Sequence, residues 1–312
     1  MKVGLFTHPD CALHDTGRGH PERVARLRAV WRGALAGLGG RACTRYGKPV
    51  EPHMLYLVHT PSFVHRARAA CADGVAYLDS PDNTISRDSF RAALAAAGTV
   101  LSACEAVTDG SFKRAFCVVR PPGHHAMPGG AMGFCMFNNV AVAARWLTSA
   151  CGLDRVLIVD LDSHHGNGTQ HIFYEDPGVL YYSSHQTHHF PGTGSRDERG
   201  AGAGVGYTVN VPLWAGAGDE EVVSAARDHL LPAAESFRPQ FVLVSMGFDG
   251  HAADPLSGLR MTKRGFDELA RICVGIADEH AEGRLVSVLE GGYALRALES
   301  CAAGHAAALA GG

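Results

Sequence analysis

The sequence predicts an α/β protein built on a mostly parallel sheet with helices on both faces. Three observations predict it. Short runs rich in β-branched residues recur along the whole chain. Several, such as VLIVD at Val156–Asp160 and FVLVS at Phe241–Ser245, are continuously apolar up to their last residue, the mark of strands buried on both faces. Helical patterns lie between most of these runs, and strands alternating with helices build parallel sheets. No linker, repeat or low-complexity segment divides the 312 residues, so the chain reads as one domain over residues 1–312.

The strands expected in chain order are Val3–Thr7, Ala42–Tyr46 (a weak pattern), Ala115–Val119, Val156–Asp160, Val179–Ser183, Tyr207–Val211, Phe241–Ser245 and Leu285–Leu289. The first helix is marked by Val24, Leu27, Trp31, Leu35 and Leu38, spaced by threes and fours so that they form one apolar stripe. Phe90–Val107, Val140–Leu147, Glu220–Phe237, Gly265–His280 and Ala294–Leu309 carry the same period, with Ser86 and Thr262 as expected N-caps.

Composition narrows the function classes. Apolar residues are 46% and charged residues 19%, which excludes global disorder. A net charge of -3 excludes nucleic-acid binding by bulk charge. Nine cysteines without a CxxC pair point to reduced thiols and a cytoplasmic location. The opening MKVGLFTHPDC turns polar too early for a signal peptide, and the uncharged runs Ala126–Ala144 and Gly200–Gly218 are broken by glycines, so no membrane association is expected. The 18 histidines raise the expectation of a metal or proton-transfer site.

In open α/β sheets the site lies beyond the carboxyl ends of the strands. RPPGHHA, DLDSHHGNG, SSHQTHHFPGTG, GFDGHAADPLSG and LEGGY follow the third, fourth, fifth, seventh and eighth strands, so five polar segments converge on one edge. In DLDSH, Asp160, Asp162 and His164 alternate and share a face, and one carboxylate with one imidazole two residues on is half of a zinc site. Read alone, Asp-x-His fits a helix cap equally well. A third ligand would come from Asp249 or Asp254, between which the chemistry does not choose, and Asp249 also suits a turn or a supporting role. His124 and His125 follow the stiff Pro121-Pro122-Gly123 and suit acid–base work on a metal-activated water better than ligation, which would crowd the metal. Tyr293, after Gly291-Gly292, can donate to a developing oxyanion, or it can simply pack at a turn. Phe134 and Phe190 stand on separate site loops, where they can be core or can wall a slot, and His188 and His189 can line its mouth. His53, His59, His65, His229, His280 and His305 read as structural or solvated.

Taken together, HPERVARL, RPPGHHA, GFCMFNN, DLDSHHGNGTQ, HQTHHFPGTG, FDGHAADPLSG and LEGGYAL resemble the zinc-dependent histone deacetylase superfamily, which includes bacterial histone-deacetylase-like amidohydrolases and acetylpolyamine amidohydrolases. The motifs run in family order from about His20 to Tyr293, and Asn167 and Glu290 look like the class II branch. The resemblance implies an arginase/deacetylase fold with an eight-stranded sheet, one zinc ion on Asp162, His164 and Asp254, and His125 as general base and then acid. It implies His124 as the electrostatic partner of His125, with Asp160 supporting His124 and Asn167 standing behind His125. Tyr293 would polarise the scissile carbonyl, the Gly133 carbonyl would accept from the substrate amide, and Phe134 and Phe190 would form the acyl-lysine tunnel. Potassium would sit on Asp160, Asp162, His164, Ser183 and Ser184, with a weaker site near Phe173, Asp176, Val179 and Tyr207. Arg26 would line an internal acetate cavity, and Asp82, in LDSPDNTIS, would be the rim aspartate. Val24 departs from a common proline. Met261 occupies the place where one polyamine-selective branch carries a glutamate, which favours an acylated lysine in a peptide or protein over an acetylpolyamine. A catalytically weak acyl-lysine reader is the rival outside enzymes, and the complete ligand set and Tyr293 weigh against it.

Overall fold

A computed structural model describes residues 1–311. The strands are β1 (Val3–Thr7), β2 (Ala42–Tyr46), β3 (Arg114–Cys117), β4 (Val156–Asp160), β5 (Val179–Gln186), β6 (Thr208–Leu213), β7 (Phe241–Met246) and β8 (Leu285–Leu289). The helices are α1 (Ala25–Leu38), α2 (Pro61–Asp73), α3 (Ser89–Thr108), α4 (Asn139–Ser149), α5 (Asn167–Phe173), α6 (Asp219–Ala225), α7 (Leu231–Phe237), α8 (Lys263–His280) and α9 (Leu295–Leu309). All eight strands join one sheet in the order β2-β1-β3-β8-β7-β4-β5-β6, and every pairing is parallel.

The apolar strand runs divide by their period of two. Val156 and Ile158 of β4, with Phe241 and Leu243 of β7, face the layer that holds α2, α3 and α4. Leu157 and Val159, with Val242 and Val244, face α1, α8 and α9. The parallel register sets Asp160 beside Ser183 on one side and Ser245 on the other, so polar residues begin at one level across the sheet. α3 has the length and apolarity of a membrane span, yet most of it is buried against this sheet.

Four helical expectations are corrected. The α1 stripe is only in part the buried face: Leu38 is buried and Leu27 and Trp31 pack half-buried against the core, but Leu35 is exposed, and the helix also buries Arg26, Ala29, Val30, Gly33 and Ala34. The reason is the close approach of α9, where a Cβ on Gly37 would lie 1.9 Å from the Ala303 carbonyl oxygen. Glu220–Phe237 is helical throughout but not one regular α-helix. It is α6, a wider turn at Ala226–Leu230 and α7, because Pro232 lacks the N–H that would continue the ladder. Ser86 does not cap α3; its hydroxyl pairs with Ser89 Oγ, while Thr262 does cap α8 by accepting from Arg264 N. α2 and α5 were not expected, although Thr60 caps α2 by accepting from Phe63 N and Gly74 closes it at φ 73°.

Gly37→Val should destabilise the protein by about 1–3 kcal/mol or more by forcing α1 from α9. Gly40→Ala, where an added methyl meets nothing within 4 Å, should change stability by less than about 0.5 kcal/mol. Urea unfolding of both variants decides it, and equal midpoints would contradict the packing account.

Candidate active site

The loops after β3, β4, β5, β7 and β8 meet at one end of the sheet around a pocket of about 260 Å³, lined by Asp82, His125, Gly133, Phe134, His164, His189, Phe190, Leu256 and Tyr293. A larger groove of about 430 Å³ near α6 and α8 is walled by charged side chains such as Asp219, Arg227 and Glu268, and Arg227 and Glu268 pair with each other at 2.8 Å. Only the smaller pocket joins apolar walls to convergent polar groups.

Gly133 (φ 56°) and Phe134 (φ 65°) both take left-handed backbone. A Cβ on Gly133 would lie 2.3 Å from His125 Cδ2 and 2.9 Å from Phe190 Cε1, so only glycine lets the Phe134 loop close on His125. Phe134 packs edge-on to Tyr293, and Phe190 edge-on to His125. The two phenylalanines thus form opposing walls of the slot. Asp82 sits at its rim, with Oδ2 accepting from Gly133 N at 2.9 Å. Asp79, the other aspartate of that loop, is held by Arg66 and accepts from Ala131 N.

The two adjacent histidines are made different by what each touches. His124 Nδ1 donates to Asp160 Oδ2 at 3.1 Å. Burial opposes its charge, but Asp160 and then Asp162 outweigh burial and raise it to about 10. His125 Nδ1 faces Asn167 Oδ1 at 2.8 Å. The Asn167 amide nitrogen faces only acceptors, the His125 carbonyl and the sulfurs of Met127 and Met132. This fixes the amide orientation, so His125 carries its proton on Nδ1 and keeps a lone pair on Nε2. Burial, then the neighbouring His124 and His164, hold His125 well below the ordinary imidazole value. Tyr293 is kept a neutral phenol, because burial pushes it well above its ordinary value.

Asp162, His164 and Asp249 place one ligand atom each within 4.8 Å of one another. His164 Nδ1 lies 3.0 Å from Asp162 Oδ1 and 2.9 Å from Asp249 Oδ2. This N/O set with a surplus of buried negative charge fits a divalent cation such as zinc, which binding would exchange for the His164 proton. Asp254 stands outside that trio. Its Oδ2 accepts from Tyr293 N at 2.6 Å and Ala294 N at 3.0 Å, and Oδ1 accepts from Leu256 N at 3.1 Å. Ser183 Oγ faces His185 Nδ1 at 2.9 Å, and the buried Ser184 hydroxyl has no partner among the described residues. Asp176 pairs with Arg145 and accepts from Gly178 N.

Met261 is corrected. It does not face the pocket: it is 2% exposed and packs in the core, its side chain filling the space beside Gly250 and Gly265. Leu256 is the residue of that segment that lines the slot. His189 does line the mouth and stacks on His164, whereas the exposed His188 leans on Trp214. Sequence reasoning also missed Glu22 and Arg120 as parts of the site frame. Glu22 is fully buried, binds Arg120 through both oxygens and Arg26 at 3.0 Å. Arg26 in turn donates to the Gly292 carbonyl at 2.6 Å and lies 4.9 Å over the Tyr293 ring. The HPER and RPPG motifs carried these residues, but not that they meet.

The chain matches the model of the histone deacetylase domain over residues 20–309. It is 40% identical over 317 residues to a protein of Archaeoglobus fulgidus called probable deacetylase, covering 100% of this chain and 87% of that one. It is 41% identical over 266 residues to histone deacetylase 10, chloroplastic, of Oryza sativa, covering 82% of this chain and 60% of that longer protein. The crystal structure of the HDA15 HD domain superposes with a TM-score of 0.92 at 37% identity, covering 99% of this chain and 88% of that one. The chain belongs to the histone deacetylase family, and the eight-stranded α/β sheet is that family's fold. Within that family it is a hydrolase.

The buried His59 holds the loop that carries Gly133: Nδ1 donates to the Met127 carbonyl at 3.0 Å and Nε2 accepts from Asn138 N at 2.9 Å. Burial lowers His59 to about 4, against about 6.5 in the unfolded chain. The unfolded state therefore binds the extra proton first, and this contribution to stability is lost as pH falls from about 6.5 through about 4. The stability gap between wild type and His59→Gln should shrink over that window. Urea melts at pH 7, 5.5 and 4.5 measure it, and a constant gap would refute the neutral, buried assignment.

Proposed function

We propose that this hydrolase removes an acetyl or similar acyl group from the side-chain amine of an acyl-lysine in a peptide or protein, with zinc as its metal. One observation carries the reading: a slot walled by Phe134, Phe190 and Leu256 ends on a neutral His125, a neutral Tyr293 phenol and a buried N/O donor set. We assign Asp162, His164 and Asp254 as ligands, with Asp249, which meets the same His164 nitrogen as Asp162, as a supporting group. Asp254 supports this because it accepts from the backbone of the pocket residues Leu256 and Tyr293, whereas Asp249 is wholly buried and its other oxygen accepts from Ser163 N. When bound, zinc would supply Lewis-acid polarisation of the carbonyl and of water. Potassium would be held at Asp160, Asp162, His164, Ser183 and Ser184, where the Ser184 hydroxyl has no partner among the described residues.

The chain's own groups divide the work. The methylene stem of the substrate lies between Phe134 and Phe190, and the Gly133 carbonyl accepts from its amide N–H. His125 Nε2 takes a proton from the attacking water and later delivers it to the leaving amine, while Asn167 keeps Nδ1 protonated. The charged His124 beside it keeps the carboxylate-rich floor balanced. Tyr293 donates its phenolic hydrogen to the oxyanion.

Tyr293→Phe should lower kcat by about 10² or more with zinc content unchanged. Unaltered turnover would return Tyr293 to a packing role. Asp254→Asn should reduce zinc content much more than Asp249→Asn, as read by metal analysis; the reverse order would move the third ligand to Asp249.

The lining of the slot is mainly apolar and carries a single carboxylate, Asp82, at the rim, where Oδ2 also accepts from Gly133 N. Acetyl-lysine peptides should therefore exceed acetylspermidine and acetylputrescine in kcat/KM. A tenfold preference for the polyamines, about 1.4 kcal/mol in transition-state binding, would overturn the lysine assignment and leave the hydrolytic machinery standing.

A further inference from the structure

Glu290 is fully buried at the end of β8, the neighbour of β3 in the sheet. Its Oε2 accepts from Gly123 N at 2.7 Å and from His124 N at 3.2 Å. Its Oε1 accepts from Ser245 Oγ at 3.0 Å, at the end of β7. Its own backbone is fixed as well: the N–H donates to the Met246 carbonyl at 2.9 Å, and the carbonyl accepts from the Arg26 guanidinium. Neither Gly123 N nor His124 N has a main-chain acceptor among the described residues. The segment they belong to cannot shift towards α4, because the space beside Gly123 is closed by the Phe137 carbonyl and the Asn139 amide, 2.8 and 2.6 Å from an added Cβ. The carboxylate thus completes the clamp from the other side, and His125 is the next residue along.

We propose that Glu290 is a positioning residue: its carboxylate grips the main chain of Gly123 and His124 and thereby sets His125 Nε2 against Tyr293. Asp160 orients the His124 ring and Glu290 the backbone beneath it, so two carboxylates from different strands fix one histidine pair. The effect on catalysis rests on the reading of His125 as the proton carrier. The grip itself does not.

Two variants separate reach from charge. Glu290→Gln keeps the reach and loses the charge: its carbonyl oxygen can accept from both backbone amides while its NH2 donates to Ser245 Oγ. Glu290→Asp keeps the charge but is one methylene too short to hold both. Glu290→Asp should lose about 10- to 100-fold in kcat, the scale of a small misplacement of a reacting group. KM for an acetyl-lysine peptide should change less than about twofold and zinc content not at all, since uniform binding is untouched. Glu290→Gln should stay within about threefold of wild type, as an amide that restores the hydrogen bonds requires. In metal-free, isotope-labelled protein, hydrogen exchange of the Gly123 and His124 amides should accelerate in Glu290→Asp and remain slow in Glu290→Gln. Glutamine no more active than aspartate, or wild-type kcat in both, would overturn the proposal, as would unchanged amide exchange in Glu290→Asp. Absence of any amide hydrolysis by the wild type would instead refute the deacetylase reading, and the exchange measurement would still judge the grip.

Discussion

The site depends on burying carboxyl groups together with their hydrogen-bond partners, and burial pushes Asp249 and Glu290 above the usual carboxylate range. Asp160, Asp162, Asp249, Asp254 and Glu290 are each at most 7% exposed, and all lie at or just beyond the ends of β4, β7 and β8. A buried ion costs several kcal/mol unless hydrogen bonds and opposite charge offset it. The parallel sheet supplies these at its carboxyl edge, where loop N–H groups are free to point inward: Ser163 N to Asp249, Gly291 N to Asp162, Gly123 N to Glu290 and Tyr293 N to Asp254. The glycines follow from the same need. A Cβ on Gly247 would lie 2.2 Å from Asp162 Oδ2, and one on Gly291 2.5 Å from both Asp162 Oδ2 and Asp249 Oδ2.

A second charged layer supports the first from the opposite side of the loops. Glu22 is held at about 2: burial works against its charge, but Arg120 outweighs burial. Through Arg120 it anchors the start of the segment that carries His124 and His125, and through Arg26 it reaches Gly292 and Glu290. One carboxylate near the N-terminus therefore fixes the entry to the histidine pair and the approach to Tyr293 together. Removing one member of such a network leaves the others buried and unpaired, which is why its effect would spread to both loops.

Much of this was legible in the sequence, and the reasons differ by element. The bounds of β1, β4 and β8 match the expectation because strands flanked on both sides leave apolar runs that no helix period explains; those of the edge strand β2 match as well, on a weak pattern. The convergence of five loops followed from the parallel order alone. The buried face of α1 was legible only in part: Leu27, Trp31 and Leu38 do pack against the core, but the small residues that let α9 approach leave no hydrophobic pattern, and Leu35 falls outside the contact. Met261 was misplaced because a position counted from Asp254 says nothing of which way the chain turns. It turns inward, pairing Met261 N with the Gly250 carbonyl at 3.0 Å. Glu290 marked a branch of the family without revealing its partners, which lie 166 and 167 positions away.

The chemistry finally rests on making two neighbouring imidazoles unlike. Their ring centres are 3.9 Å apart, so two full charges there would repel strongly. A carboxylate behind His124 and an amide behind His125 resolve this: Asp160 stabilises a cation, whereas Asn167 only fixes a tautomer. Once His124 is charged it further disfavours a proton on His125, which is the second cause, after burial, of that group's depressed value. The pair thus holds a charged imidazolium and a neutral imidazole side by side. An aspartate at position 167 would raise the affinity of His125 for a proton and narrow that difference, so the choice of asparagine is itself part of how the pair is tuned.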